Sequence, residues 1–151
     1  MQSLTTYNSH KTAMTRQRLS VPSRWIKEQG LLRGEVLDYG CGKGKDAKLL
    51  RCDKYDPYYF PSYPYGLYDT ILCTYVLNTM PVRQREEVIR SVIGLLTLGG
   101  RAFFTVRRDI KQEGTTSTGT FQETVKLSED KFQLLTQDSN KAIYSYFKGR
   151  L

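Results

Sequence analysis

The chain is poor in the residues that most often carry chemistry. It has one histidine, His10, one tryptophan and three cysteines, Cys41, Cys52 and Cys73, among 151 residues. Three thiols are an odd number, too few for a disulfide scaffold and without the CxxC spacing of zinc, so no metal and a reducing cytoplasmic setting are expected. A single histidine leaves any histidine-based proton transfer to His10. No apolar run approaches the ~20 residues of a membrane span, and the first 20 residues lack the pattern of a secretion signal, so no membrane partner is expected. Acids are scarce as well: 15 Asp+Glu stand against 23 Lys+Arg, for a net charge of +8.

That surplus is uneven. Residues 1–34 hold Lys11, Arg16, Arg18, Arg24, Lys27 and Arg33 against Glu28 alone. Such a segment suits nucleic acid or another anion, and serves equally as a solvated face that aids solubility. At roughly 100–200 residues per domain the length fits one domain. Residues 1–19 show no steady apolar period and read as an irregular basic arm, ahead of a single domain over 20–151.

From Ser20 the pattern becomes regular. Ser20-Val21-Pro22 reads as a helix start, with a capping serine and a first-turn proline, and Gly30 closes a short amphipathic helix. Glu35 to Tyr39 reads as a buried strand that runs into Gly40-Cys41-Gly42-Lys43-Gly44. A helix of barely two turns follows over Asp46 to Arg51, then a short strand ending at Asp56. Residues 57–67, rich in proline and tyrosine, form a loop. Tyr68 to Val76 is a further strand. Pro81 to Leu98 has helical spacing and ends at Gly99-Gly100. Arg101 to Arg107 is a strand, residues 110–122 a long polar loop, and Thr124 to Leu127, Phe132 to Thr136 and Ala142 to Phe147 are strand candidates. The last two flank Asp138-Ser139-Asn140 as a hairpin. This order predicts an α/β fold whose sheet is mostly parallel with an antiparallel C-terminal hairpin.

The glycine turn is the strongest chemical signal. Gly40, Gly42 and Gly44 alternate directly after Asp38, a spacing that allows a tight turn and close approach of a ligand. Asp56 lies 18 positions after Asp38, near the ~20-residue interval at which a carboxylate meets ribose hydroxyls in nucleotide-binding α/β folds. The pattern therefore points to a nucleoside cofactor. Two details disfavour NAD: the spacing is not G-x-G-x-x-G, and the acid before the first glycine would repel a pyrophosphate.

Val36 to Gly44 resembles motif I of class I S-adenosylmethionine-dependent methyltransferases. Tyr55-Asp56-Pro57 is similar to the acidic end of their second strand, Tyr68 to Asn78 to their fourth-strand motif, and Leu95 to Ala102 to the turn before their fifth strand. His10-Lys11-Thr12-Ala13-Met14-Thr15-Arg16, with Asp38 to Gly42 and Tyr55 to Tyr59, further resembles the DNA-phosphorothioation-associated methyltransferases. The resemblance implies a Rossmann-like methyltransferase sheet and S-adenosyl-L-methionine as cofactor. It implies Gly40, Cys41 and Gly42 along the methionine part, Asp38 orienting that end, Asp56 on the ribose, and Pro57 and Tyr58 beside the adenine. Thr74, Tyr75 and Asn78 would face the sulfonium and the acceptor, with Tyr75, Asn78 and His10 as catalytic candidates. Only 11 residues separate Asp56 from Tyr68, too few for the family's third strand with its helices, so that strand is expected to be missing.

The remaining signals admit two readings each. Lys11 and Arg16 could meet the cofactor's carboxylate, or lie on an exposed arm together with His10. The tyrosines from 55 to 68 could stack on bases, or replace the lost helices as a hydrophobic lid. Arg107, Arg108, Thr118 and Gln122 could seat an anionic or amide-bearing acceptor, or be plain surface loop. Cys41 and Cys73 read as packing residues, since no second histidine exists to activate them. The expected function is transfer of a methyl group to an acceptor, leaning to nucleic acid. A small-molecule methyltransferase and a non-catalytic cofactor-binding partner of a nucleic-acid enzyme stand as alternatives.

Overall fold

The computed structural model describes His10 and residues 18–149. Ser20 caps helix α1 (Val21–Glu28), with Pro22 in its first turn. Strand β1 (Val36–Tyr39) leads through the glycine turn into helix α2 (Lys45–Leu50) and strand β2 (Asp53–Tyr55). Strand β3 (Tyr68–Thr74), a 3-10 turn (Leu77–Thr79) and helix α3 (Val82–Gly94) follow. The chain ends in β4 (Leu96–Arg107), a small hairpin of β5 (Gly114–Thr115) and β6 (Phe121–Gln122), and strands β7 (Gln133–Gln137) and β8 (Lys141–Phe147).

Six strands form one sheet in the order β2-β1-β3-β4-β8-β7. The pairs β2–β1, β1–β3 and β3–β4 are parallel, while β8 is antiparallel to both β4 and β7. Strand β7 therefore runs with β4, and β8 alone opposes the rest. The expected α/β sheet with its antiparallel C-terminal hairpin is what forms.

Side chains alternate across the sheet. Leu37, Ile71, Cys73, Phe104 and Val106 face α3, whose Val88 and Val92 complete the larger core. Leu72, Phe103 and Ile143 face α1, where Ile26, Trp25, Leu31 and Leu32 cover them. Each fully buried side chain of this size stabilises by about 1.5–3 kcal/mol, so the α3 side contributes most.

No strand lies between Asp56 and Tyr68, and β2 is the edge of the sheet. The aromatic loop takes the place of the missing layer. Tyr63 packs edge-on against Tyr55, which lies on Tyr39, with ring centroids 5.2 and 5.0 Å apart. The hydroxyls of Tyr39 and Tyr63 both meet Ser91 on α3. Reciprocal backbone bonds between Asp56 and Phe60 close a tight turn around Pro57, Tyr58 and Tyr59.

Two sequence expectations are corrected. Helix α3 stops at Gly94 rather than running to Leu98, because Leu96 pairs with Tyr68 as the first residue of β4. Gly99 and Gly100 lie inside that strand, at the irregularity between the Tyr68–Leu96 and Thr70–Arg101 pairs. Thr124 to Leu127 forms no strand, although Val125 and Leu127 enter the larger core.

Candidate functional site

The C-terminal ends of β1 to β4 meet at one edge, the place where open α/β sheets bind ligands. Gly40, Gly42 and Gly44 have φ of 78°, 57° and 83°. All three lie in the left-handed region, which costs an L-residue roughly 1–2 kcal/mol, and so the alternation is a backbone requirement. The amides of Gly40 and Cys41 both donate to the Tyr55 carbonyl, at 2.7 and 3.0 Å, which holds the turn over the end of β2.

Asp56 joins two loops. Its Oδ2 accepts from the Gly42 amide at 2.8 Å, and its Oδ1 accepts from the Tyr58 and Tyr59 amides at 2.9 and 3.1 Å. The buried carboxylate thus fixes the glycine turn to the aromatic turn. A carboxylate has about four acceptor positions, so these bonds leave about one for a ligand hydroxyl. Asp38, at the end of β1, is buried beside the turn. His10 stacks on Tyr58 with centroids 3.8 Å apart and planes 8° from parallel, and stands edge-on to Tyr59. Lys11 and Arg16 lie outside the described residues.

Tyr75, just past β3, has φ of 58°. A bulky non-glycine residue there is held by its surroundings, and such strain concentrates at functional sites. Its amide donates to the Thr105 carbonyl at 2.9 Å. Thr74 and Thr105 are register partners on β3 and β4, on the same face as Leu72 and Phe103. Both hydroxyls are buried and find no hydrogen-bond partner among the described residues, as is also true of His10 Nδ1 and Gln122 Oε1. Buried polar atoms are normally partnered, so the adjacent Thr74 and Thr105 hydroxyls are groups open to a ligand or water.

Asn78 has a different setting. It is fully buried; its Oδ1 accepts from the Arg107 amide at 2.7 Å and its Nδ2 donates to the Glu123 carbonyl at 2.9 Å. Arg85 donates to the carbonyls of Leu77 and Met80 and pairs with Glu123. Together these bonds lock the β5–β6 hairpin against the 3-10 turn. Arg107 pairs with Asp109, and Arg108 reaches the Asp138 carbonyl on the β7–β8 turn, on the side of β4 away from β1. Thr118 is exposed at the hairpin tip, where its hydroxyl meets that of Thr116 at 3.0 Å. Gln122, half-buried on β6, stands beside the 3-10 turn.

The sequence reading missed Thr105, Arg85, Glu123 and the acid that anchors α1, Asp46. For Thr105 the signal was present, since it is two residues after Phe103 and opposite Thr74. Asp46 and Glu123 act across 20 or more residues, and Arg85 joins Glu123 to main-chain carbonyls five and eight residues before it, so none leaves a recognisable pattern.

The thiols are held protonated. Burial, then the charges of Asp38 and Asp56, pushes the Cys41 thiol well up, and burial, then Asp38, does the same to Cys73. Cys52 is pushed up to about 12 by burial, then by Asp38, Asp53 and Asp46. Thiolate, the reactive form, is then scarce at neutral pH. Iodoacetamide near pH 8 is expected to leave the folded protein unlabelled for a period that fully labels the urea-unfolded chain. Mass spectrometry checks this, and labelling of folded Cys41 at the unfolded rate would contradict it.

By sequence, no known family profile and no curated protein matches the chain. By structure, 163 chains match. One is the Burkholderia thailandensis 1,6-didemethyltoxoflavin-N1-methyltransferase with bound 1,6-didemethyltoxoflavin and S-adenosylhomocysteine. It aligns with a TM-score of 0.65 at 15% identity, over 86% of this chain and 78% of that one. Another is the N-methyltransferase NodS from Bradyrhizobium japonicum WM9 in complex with S-adenosylhomocysteine, with a TM-score of 0.54 at 15% identity over 95% and 98%. A third, the [4+2]-cyclase SpnF, has a TM-score of 0.58 at 16% identity over 85% and 80%. The chain therefore has the Rossmann-like fold of class I methyltransferases, here built with β2 as the edge strand. Among the described residues no helix is long and apolar enough to cross a membrane.

Proposed function

We propose that the chain is an S-adenosylmethionine-dependent methyltransferase that binds its cofactor across the ends of β1, β2 and β3. The observation that carries this is the glycine turn, with three alternate left-handed glycines, tied through Asp56 to an aromatic turn. The residues fit the cofactor part by part. Gly40, Cys41 and Gly42 expose backbone where a methionine moiety can lie, and Asp38 offers its ammonium a buried carboxylate. Asp56 retains about one acceptor position for a ribose hydroxyl. Pro57 and Tyr58 offer the adenine a flat surface, which His10 covers from the other side.

When bound, S-adenosylmethionine supplies an electrophilic methyl on a sulfonium. The chain's own part is to position the acceptor in line and exclude water, which accounts for a site with one histidine. Thr74, Thr105 and Tyr75 stand at the end of β3 and β4 as the polar groups facing that centre. Gln122, Arg107 and Thr118 border the acceptor side, with Asn78, Arg85 and Glu123 as positioning residues. His10 is assigned to backing the Tyr58 ring at the adenine end.

For the acceptor we favour nucleic acid, on the basic leader and the exposed rings of the aromatic loop. Within the class, the residues from His10 to Arg16 and from Tyr55 to Tyr59 favour the phosphorothioation-associated group. A small-molecule acceptor is the second reading, favoured by the bound 1,6-didemethyltoxoflavin of the Burkholderia enzyme.

Titration calorimetry of the full chain tests the reading. S-adenosylhomocysteine is expected to bind in the micromolar range and NAD to give no heat. Gly42→Val, which puts a β-branched residue at φ of 57°, is expected to weaken binding at least about tenfold. Binding of NAD without S-adenosylhomocysteine would overturn the assignment. Binding with no transfer of labelled methyl to nucleic acid, protein or metabolite fractions would reduce the chain to a cofactor-binding module.

A further inference from the structure

With no third strand, β2 is the outer edge of the sheet, and the segment folded there is rich in cations. Residues 43–54 carry Lys43, Lys45, Lys48, Arg51 and Lys54 against two acids, Asp46 and Asp53. Both acids have other tasks. Asp46 is turned inward onto Ser20 and Ser23, and Asp53 accepts from the Tyr68 hydroxyl at 2.7 Å, on the α3 side.

The cations gather on one side. Lys45 and Lys48 lie three residues apart on α2, and so on one face of the helix. Lys54 alternates with Asp53 and Tyr55 and turns to the α2 side, where its Cδ comes within 3.6 Å of the place a Cβ on Gly44 would occupy. Its ammonium sits 4.5 Å over the Phe60 ring. Lys43, Lys48, Arg51 and Lys54 are exposed. Beyond them, on the turn closed by Asp56 and Phe60, Tyr58 is 54% exposed.

We propose that this rim, formed by α2 and Lys54 with Phe60 and Tyr58 beside it, is a docking surface for single-stranded nucleic acid. A row of long cations suits successive phosphates without regard to sequence. A lipid surface would need a continuous apolar face, and on α2 only Leu49 is a large exposed apolar side chain. An acidic peptide spaces its charges as its sequence dictates, whereas a nucleic-acid strand repeats one phosphate per nucleotide along its length. The α3 surface offers no equivalent, since Arg83 and Arg90 there are interleaved with Glu86 and Glu87. The rim adjoins the glycine turn, so a bound strand would lie next to the proposed methyl-transfer site. That link rests on the reading above, while docking itself is measured without cofactor.

The test is fluorescence anisotropy with the full chain and a fluorescein-labelled deoxythymidine strand of about 20 nucleotides, between about 50 and 200 mM salt. One variant combines Lys48→Gln, Arg51→Gln and Lys54→Gln. A control combines Arg83→Gln, Arg90→Gln and Lys126→Gln, which removes the same charge elsewhere. The rim variant is expected to bind at least about tenfold more weakly and to lower the slope of log K against log salt by about 2, since each phosphate contact contributes about 0.7. The control is expected to lose less than about threefold. Equal losses in both variants, or no binding by the wild type, would overturn the proposal. So would loss of binding to phosphatidylserine vesicles with oligonucleotide affinity unchanged. Calorimetry with S-adenosylhomocysteine on the rim variant separates the two readings, because cofactor binding is expected to persist there whatever the oligonucleotide does.

Discussion

Asp46→Ala is expected to lower the thermal unfolding midpoint by about 6–15 °C, the largest effect on stability foreseen for any single polar side chain in this protein. Asp46 stands in the first turn of α2 and is 3% exposed. Its Oδ1 accepts from the Ser20 amide at 2.9 Å, and its Oδ2 accepts from the hydroxyls of Ser20 and Ser23 at 2.6 and 2.7 Å. These three bonds hold the start of α1 against the start of α2, across 23 to 26 residues of chain. Removing one partner of a buried hydrogen bond to a charged group leaves donors unsatisfied, at about 1–3 kcal/mol each, and the hydroxyls can partly reorient. A total of about 3–4 kcal/mol follows, which the size of the chain converts to that shift.

The change also has a spectroscopic signature. Trp25, the single tryptophan, lies on α1 and packs against the smaller core. If the serine clamp docks α1, its emission in Asp46→Ala should move to the red below the main transition, ahead of the loss of far-UV signal. Asp46→Asn keeps an acceptor for the Ser20 amide and should fall between the two. A variant with an unshifted midpoint and wild-type emission would show that α1 is held by its apolar face alone.

The sequence was most informative where one residue type is required by backbone geometry or by a local bond. The alternate glycines fell into the left-handed region at every position where the motif demanded it, and Ser20 capped α1 as its spacing suggested. The short interval from Asp56 to Tyr68 likewise gave the missing strand, because chain length alone rules out a crossover of that kind. An apolar pattern that fits two structures leaves the element undecided. Leu95, Leu96 and Leu98 continue the helical spacing of α3, yet Leu96 pairs with Tyr68 and opens β4. Val125 and Leu127 alternate like a strand, but alternation reports only which side chains are buried, and this stretch pairs with no strand. The site was legible in its backbone parts and opaque in its long-range ones. No local pattern announces that Asn78 is spent on the Arg107 and Glu123 main chain, or that Asp46 belongs to Ser20.

Asp56→Ala is expected to have the largest effect on ligand affinity, with S-adenosylhomocysteine binding weakened at least about tenfold and stability lowered by about 2–3 kcal/mol. Two functions meet in this carboxylate, and they are separable. As a tether it satisfies the amides of Gly42, Tyr58 and Tyr59, so its loss frees the aromatic turn from the glycine turn and disorders the platform for the adenine. As a ligand group it has about one acceptor position left, aimed at a ribose hydroxyl in the proposed reading. Asp56→Asn does not restore the tether in full, because its NH2 would face the Gly42 amide, donor against donor. The two contributions are told apart with the 2′-deoxy and 3′-deoxy forms of S-adenosylhomocysteine. If Asp56 meets a ribose hydroxyl, the wild type should bind one of them about tenfold more weakly than the parent ligand, while Asp56→Ala binds the pair alike. The coupling between residue and hydroxyl is then about 1.4 kcal/mol. If the wild type discriminates against neither deoxy form, or if Asp56→Ala keeps the same discrimination, the carboxylate is a tether only. The ribose would then be held elsewhere, and the two unpartnered threonine hydroxyls on β3 and β4 would be the groups to change next.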